Sequence, residues 1–237
     1  MNHYIDGLRI DWDRVDRNSY IRDIKALRGI DELIFDKPIT FFVGENGSGK
    51  STLLEAIAES YGFNKEGGSR NYNFHTYDEA SELSSAITLY KGFRKPEYNF
   101  FFRAETFFNV ATMEEEYAKG NVIPEYYHRE SHGEGFLHLF NILSSRKGIY
   151  LMDEPEAALS PSRQLSLFSL IHEASKNGSQ FIIVSHSPIL LGMPDADILS
   201  FDGDSISKIR YEDTSSYRIT KSFIDHKDIM VDELTKD

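Results

Sequence analysis

Gly44-Glu45-Asn46-Gly47-Ser48-Gly49-Lys50-Ser51, followed by Thr52, satisfies every fixed position of the phosphate-binding pattern G-x-x-x-x-G-K-[ST]. Glycines let backbone N–H groups close around phosphate oxygens, the lysine reaches the terminal phosphates, and the last hydroxyl ligates Mg²⁺. An anionic, phosphate-bearing ligand is expected on this stretch. A second chemical pair is Asp153-Glu154, which closes the apolar run Gly148-Ile149-Tyr150-Leu151-Met152. Asp153 is suited to hold Mg²⁺ through water, and Glu154 to polarise an attacking water. His186, in Ser185-His186-Ser187-Pro188, follows a further apolar run and is suited to contact a terminal phosphate.

These residues need scaffolding, and the flanking sequence supplies it. Ile39-Thr40-Phe41-Phe42-Val43 reads as a buried strand before the glycine-rich loop, and Leu53, Leu54 and Ile57 repeat at helical spacing after it. Acids at the end of an apolar strand stand where open parallel sheets place their ligands. After Asp153-Glu154, Ser160 as N-cap, Pro161 in the first turn and the Asn177-Gly178 stop bracket a helix. The strand Phe181-Ile182-Ile183-Val184 then leads to His186. Asp197 to Phe201 and Ser205 to Tyr211, joined by Asp202-Gly203-Asp204, read as a hairpin.

Elsewhere the chain is less explicit. Leu8, Ile10 and Trp12, then Ile21, Ile24 and Leu27, then Leu33, Ile34 and Phe35 read as short strands opening an α/β lobe. Trp12 and Tyr20 stand where an aromatic could stack on a nucleotide base, but ordinary core packing is the simpler reading and the one preferred. Ala86 to Tyr90 and Tyr98 to Ala104 read as strands, the latter with Phe100, Phe101 and Phe102 in succession. Residues 105–129 fit a small acidic helical insertion. Ser131-His132-Gly133-Glu134-Gly135 is a turn feeding an amphipathic helix that starts at Phe136, and so a second potential anion site. His128 and His132 stand at i and i+4 but lack a third ligand, and read as surface histidines. The tail to Asp237 is polar and helical, packing on the outside or contacting a partner.

Composition narrows the function classes. A chain of 237 residues with 40% hydrophobic content accommodates one sizeable α/β domain or two small ones, one compact domain with lobes being the default. The absence of cysteine excludes disulfides, thiolate metal sites and cysteine nucleophiles, and suits a cytoplasmic location. No apolar run reaches membrane-spanning length and no leader pattern opens the chain, so no membrane insertion of this chain is expected. A net charge of −12 opposes phosphate-backbone binding by the whole surface, so nucleic acid binds only through a local basic patch or a partner.

Taken in order, these elements resemble the ATP-binding-cassette ATPase superfamily. Gly44 to Ser51 resembles its Walker A loop, Ser131 to Glu134 its signature loop, and Ile149 to Glu154 its Walker B strand with the catalytic glutamate. Ala157 to Ser160 is similar to the D-loop and His186 to the switch histidine. Two departures stand out. His132 replaces the usual first glycine of the signature, and neither of the two glutamines, Gln164 and Gln180, is placed for the Q-loop that couples transporter subunits to membrane domains. Arg103-Ala104-Glu105 occupies roughly that place. The chain is more similar to soluble SMC- and RecF-type heads and short AAA-family ATPases grouped with them, some of which act in DNA repair or phage defence.

The resemblance implies an α/β P-loop NTPase with a mostly parallel sheet flanked by helices. It also implies an N-terminal antiparallel β portion and a small helical insertion carrying the signature loop. Residues 1–60 and 146–210 would form the nucleotide-binding core, about 61–145 the intermediate strands and signature subdomain, and 211–237 a C-terminal extension, all in one domain. Two copies would sandwich ATP and Mg²⁺, each site joining one subunit's Gly44, Glu45, Asn46, Gly47, Ser48, Gly49, Lys50, Ser51 and Thr52 to Ser131 and Gly133 of the other. Ser51 and Asp153 would hold the metal, and Lys50, Glu154 and His186 would serve catalysis. The output would be motion delivered to a protein partner. Rival readings are a transporter's ATP-binding subunit, an ATP-holding switch with little hydrolysis, and direct DNA engagement. A nucleotide kinase lacks an acceptor site.

Overall fold

The computed structural model describes residues 3–63, 68–69, 82–103, 137, 140–141, 144–157 and 159–236. Its largest sheet comprises β3 (Ile39–Val43), β4 (Gly68–Ser69), β6 (Tyr98–Arg103), β7 (Gly148–Asp153), β8 (Gln180–Val184), β9 (Ala196–Ser200) and β10 (Ser207–Ile209). The order across it is β10-β9-β3-β8-β7-β6-β4. The five inner strands run parallel, while β4 and β10 pair antiparallel at the two edges. Sequence neighbours β3 and β4 lie far apart, and β8 separates β3 from β7. The carboxyl ends of β3, β7 and β8 therefore come together on one rim.

Strands of this kind are covered on both faces, which is why they read as unbroken apolar runs. The two faces still sort by the period of two. Phe42, Phe101, Leu151, Ile182 and Val184 point into one core, and Phe41, Phe100, Phe102, Tyr150, Met152, Phe181 and Ile183 into the other. The first core is closed by α2 (Lys50–Tyr61), through Leu53, Leu54 and Ile57, and by a separate three-stranded antiparallel sheet. That sheet is ordered β2 (Glu32–Ile34), β1 (Ile5–Ile10), β5 (Ile87–Lys91). The second core is closed by α4 (Pro161–Lys176), through Leu167, Ile171 and Ala174. Tyr150 stacks on Phe181 there, with ring centroids 5.0 Å apart, and its hydroxyl donates to the Arg146 carbonyl at 2.8 Å.

Besides their shared apolar core, a buried polar side chain ties the two sheets together. Gln180, at the start of β8, accepts from the amides of Tyr4 and Ile5, each at 2.9 Å, and donates to the Ile5 carbonyl at 2.7 Å. Backbone groups at the entry to β1 thus find partners that the sheet does not supply.

Three expectations change. Ile21, Ile24 and Leu27 do not form a strand: Tyr20–Asp23 is a 3-10 turn and α1 (Lys25–Arg28) follows. Their spacing of three is helical, and the short length of each turn hid it. Ala86 closes α3 (Glu82–Ala86) instead of opening a strand, and β5 and β6 lie in different sheets despite their proximity in the chain. Ser160 occupies the N-cap position of α4, but its side chain makes no capping hydrogen bond.

Beyond β9 and β10 the chain forms α6 (Ser215–Asp225) and α7 (Lys227–Leu234), neither with a buried residue. Tyr211, just before α6, donates its hydroxyl to the Pro188 carbonyl at 2.7 Å, at the start of α5 (Pro188–Leu191). The expected insertion at 105–129 lies outside the described residues, as does most of the helix expected from Phe136; Leu137 and Phe140 of that helix are helical, and Phe140 is buried.

Candidate functional site

The loop after β3 turns through three glycines with positive φ, Gly44 at 143°, Gly47 at 79° and Gly49 at 98°. The first is also held by contact, since a Cβ there would meet the Asp202 carboxylate at 2.9 Å. At Gly47 the space beside the backbone is open, as a cradle for a ligand requires. Lys50 opens α2 with only 5% of its surface exposed, and its ammonium donates to the carbonyls of Gly44 and Glu45, each at 2.7 Å. No carboxylate ion-pairs with it among the described residues. Burial lowers its pKa, opposed by the charges of Glu154, Asp202, Asp153 and Glu45. A desolvated cation held by neutral oxygens, these two carbonyls and the Ser48 hydroxyl at 3.5 Å, is complemented by an anion, and the loop fits a phosphate group.

Ser51, one residue on, donates its hydroxyl to Asp153 at 3.0 Å, linking α2 to the carboxyl end of β7. Burial pushes the Asp153 pKa up to about 6, against the hydrogen bond from Ser51 and the charge of Arg103. Arg103 ends β6 beside Asp153 and ion-pairs with Glu55 of α2 at 2.9 Å. A carboxylate penalised by desolvation beside a hydroxyl suits a hard divalent cation, so Ser51 and Asp153 fit Mg²⁺.

The sign of the Asp153 shift sets a test. Its folded pKa lies above the usual carboxylate value, so the folded metal-free protein holds that proton more tightly than the unfolded chain. This contribution to stability is lost as pH rises from about 4 to about 6. Asp153→Asn removes it. In urea melts without metal the Asn variant should match the parent near pH 4 and exceed it by up to about 3 kcal/mol at pH 7. Saturating MgCl₂ should narrow the gap by stabilising the parent alone.

Glu154 follows Asp153 in a left-handed backbone conformation, φ 48°, while its amide still donates to the Val184 carbonyl at 3.0 Å. Its carboxylate lies 3.8 Å from His186 Nε2, both side chains being nearly half exposed. The turn bearing His186 is anchored by a carboxylate that motif reading passed over. Glu156 Oε1 accepts from Ser185 Oγ at 2.9 Å, from the His186 amide at 2.6 Å and from the Ser187 amide at 3.1 Å. Burial raises the Glu156 pKa, while these hydrogen bonds oppose the rise. Gln164 adds a second link, accepting from Ser187 Oγ at 2.6 Å and donating to the Leu159 carbonyl at 3.0 Å.

Asp202 is another residue the sequence did not single out. It follows β9, the parallel neighbour of β3, and accepts from the Glu45 amide at 2.7 Å. In the sequence it looks like hairpin-turn chemistry, and only the strand order brings it beside the glycine-rich loop. Between that loop and the N-terminal turns lies an open cleft of about 680 Å³, lined in part by Tyr20, Asn46, Gly47 and Asp202. Tyr20 is 67% exposed and is not a core aromatic. Trp12 is partly buried and packs against the first core; its Nε1 donates to the Ile30 carbonyl at 2.8 Å and the Arg22 guanidinium lies 5.9 Å from its ring. The structure thus gathers residues 44–52, Asp153, Glu154 and His186 on one rim. Ser131 and Gly133 lie outside the described residues, as do Glu105, His128 and His132.

Two family models match the chain. One, described as "AAA domain", covers residues 20–122, and another, described as "AAA domain, putative AbiEii toxin, Type IV TA system", covers residues 120–192. Between them the two models span residues 20–192, and over that stretch the chain is similar to AAA-domain proteins. Among its relatives, the "Ribose import ATP-binding protein RbsA 1" of Agrobacterium fabrum is 27% identical over 69% of this chain, which spans 36% of the relative's length. The "Energy-coupling factor transporter ATP-binding protein EcfA" of Methanosphaera stadtmanae is 25% identical over 76% of this chain and 71% of its own. Of solved structures, the "SMC head domain from Thermotoga maritima" is similar at 16% identity, covering 89% of this chain and 99% of that chain, with a TM-score of 0.49. No helix among the described residues is long and apolar enough to cross a membrane.

Proposed function

We propose that the chain binds and hydrolyses ATP at a head-to-tail homodimer interface and uses the cycle to drive or switch a protein partner. The observation that carries this is the convergence of Lys50, the Ser51–Asp153 hydrogen bond and the Glu154–His186 pair on one rim of the sheet. Residues 44–52 would hold the phosphates, and Ser51 and Asp153 the Mg²⁺, which supplies charge neutralisation and alignment of the phosphate oxygens. Lys50 places a positive charge where negative charge grows during transfer. Glu154 orients and polarises the attacking water, and His186, 3.8 Å away, stands where it can contact the terminal phosphate. Tyr20 offers an exposed ring to the base.

Ser131 and Gly133 of the second copy would close each site. A Ser131→Arg variant should therefore lose hydrolysis, as should Lys50→Met, while an equal mixture regains activity. Half the dimers would then be mixed, each with one intact composite site, giving about a quarter of the parental phosphate release. No recovery on mixing would exclude the shared site.

A second reading, the ATP-binding subunit of a membrane transporter, is favoured by the names of the two relatives. Against it, both glutamines of the chain are engaged elsewhere, Gln180 on β1 and Gln164 on Ser187. Stimulation of hydrolysis by a co-purifying membrane protein would favour the transporter reading. A role in DNA repair or phage defence fits a soluble partner-driving ATPase equally.

A further inference from the structure

We propose that Glu156 is a positioning residue that sets His186 against Glu154, by tying the turn after β8 to the loop after β7. The inference rests on the reading that Glu154 and His186 act on the terminal phosphate and its attacking water.

His186 needs such a device. Its side chain is 41% exposed, its only ion-pair partner among the described residues is Glu154 at 3.8 Å, and that carboxylate is itself 46% exposed. Packing therefore does little to confine the imidazole, and its place follows from the backbone that carries it. That backbone is gripped at one point. A single oxygen of Glu156 takes donors from three consecutive residues, Ser185 Oγ, the His186 amide and the Ser187 amide. Three donors converging on one oxygen fix the turn at that point, and the shortest of the three, 2.6 Å, comes from the His186 amide itself.

The other Glu156 oxygen is buried and has no hydrogen-bond partner among the described residues. A carboxylate so unevenly used is costly to bury for stability alone, and its cost is offset only on the side that faces His186. The chain position fits as well. Glu156 lies two residues after Glu154, and between them Glu154 takes the left-handed conformation at φ 48°, so one short loop carries both the acid and the tether for its histidine. A shift of either loop moves His186 and Glu154 together.

The test is a double-mutant cycle on phosphate release. Glu156→Ala should lower kcat about ten- to a hundredfold, as misplacement of a catalytic group does, with the Kd for ATP changed less than about twofold. Since Glu156 acts through His186, the Glu156→Ala/His186→Ala double variant should be no slower than His186→Ala alone, within about twofold. A double variant slowed by the product of the two single effects would overturn the positioning role, as would a Glu156→Ala variant that raises KM and leaves kcat intact. If Glu156→Ala does not fold, Ser185→Ala deletes one of the three donors and should lower kcat about threefold, with the same cancellation against His186→Ala. An unchanged kcat in Ser185→Ala would count against the tether. If the parent protein shows no hydrolysis, the functional reading fails but the tether is still decided: in imidazole NMR spectra, assigned with His186→Asn, Glu156→Ala or Ser185→Ala must shift and broaden the His186 signal. An unmoved His186 signal overturns the tether.

Discussion

Glu154→Gln is expected to lower ATP turnover by about 10²–10⁴-fold while leaving ATP binding intact, the loss typical of removing a general base. Glutamine keeps the length and one acceptor oxygen of the glutamate but not its charge, so the loop conformation survives and the polarisation of water does not. The side chain 3.8 Å from His186 Nε2 also loses its negative charge. With hydrolysis blocked, the sandwich proposed above should persist: gel filtration with light scattering should show a dimer in ATP and Mg²⁺ and a monomer in ADP. A variant that turns over at the parental rate, or stays monomeric with ATP and Mg²⁺ at micromolar protein, would refute this. The backbone at φ 48° adds a second readout. Glu154→Gly relieves the left-handed strain, so it should be inactive yet more stable than the parent by roughly 1 kcal/mol.

Lys50→Met should lower turnover by about 10²–10³-fold, the cost of deleting a preorganised charge at a transferring phosphate, and weaken ATP binding at the same time. The ammonium is surrounded by the charges of Glu154, Asp202, Asp153 and Glu45, and without it those acids face the polyphosphate unbalanced. Fluorescent-nucleotide titration and phosphate release would measure the two losses separately. Lys50→Arg should not restore activity, because a planar guanidinium cannot replace a compact ammonium between the Gly44 and Glu45 carbonyls. The two variants thus separate by binding: Glu154→Gln holds ATP, and Lys50→Met does not.

A comparison of residues shows why some of this was legible before folding and some was not. Gly44 to Ser51 carries its chemistry in local backbone requirements: positive φ at Gly44, Gly47 and Gly49 and a helix beginning at Lys50. Such requirements depend on a few adjacent residues, so the motif, its strand Ile39–Val43 and its helix were all readable. The apolar runs ending at Asp153 and Val184 were readable for the same reason, since a strand covered on both faces leaves a continuous hydrophobic signal.

What only the tertiary structure decided are relations between distant segments. Strand order brings the carboxyl end of β9 beside β3, so Asp202 reaches the Glu45 amide across 157 positions of sequence. The fold sets Glu156 under His186 across 30 positions and makes Gln180 a tie between two sheets across 175. It also separates Trp12, turned into the core, from Tyr20, left open beside the loop. Acids, amides and aromatics carry no local signature for such roles. A hydrogen bond across the fold costs chain entropy that only the packed sheet recovers, so its partners are chosen by topology and not by spacing.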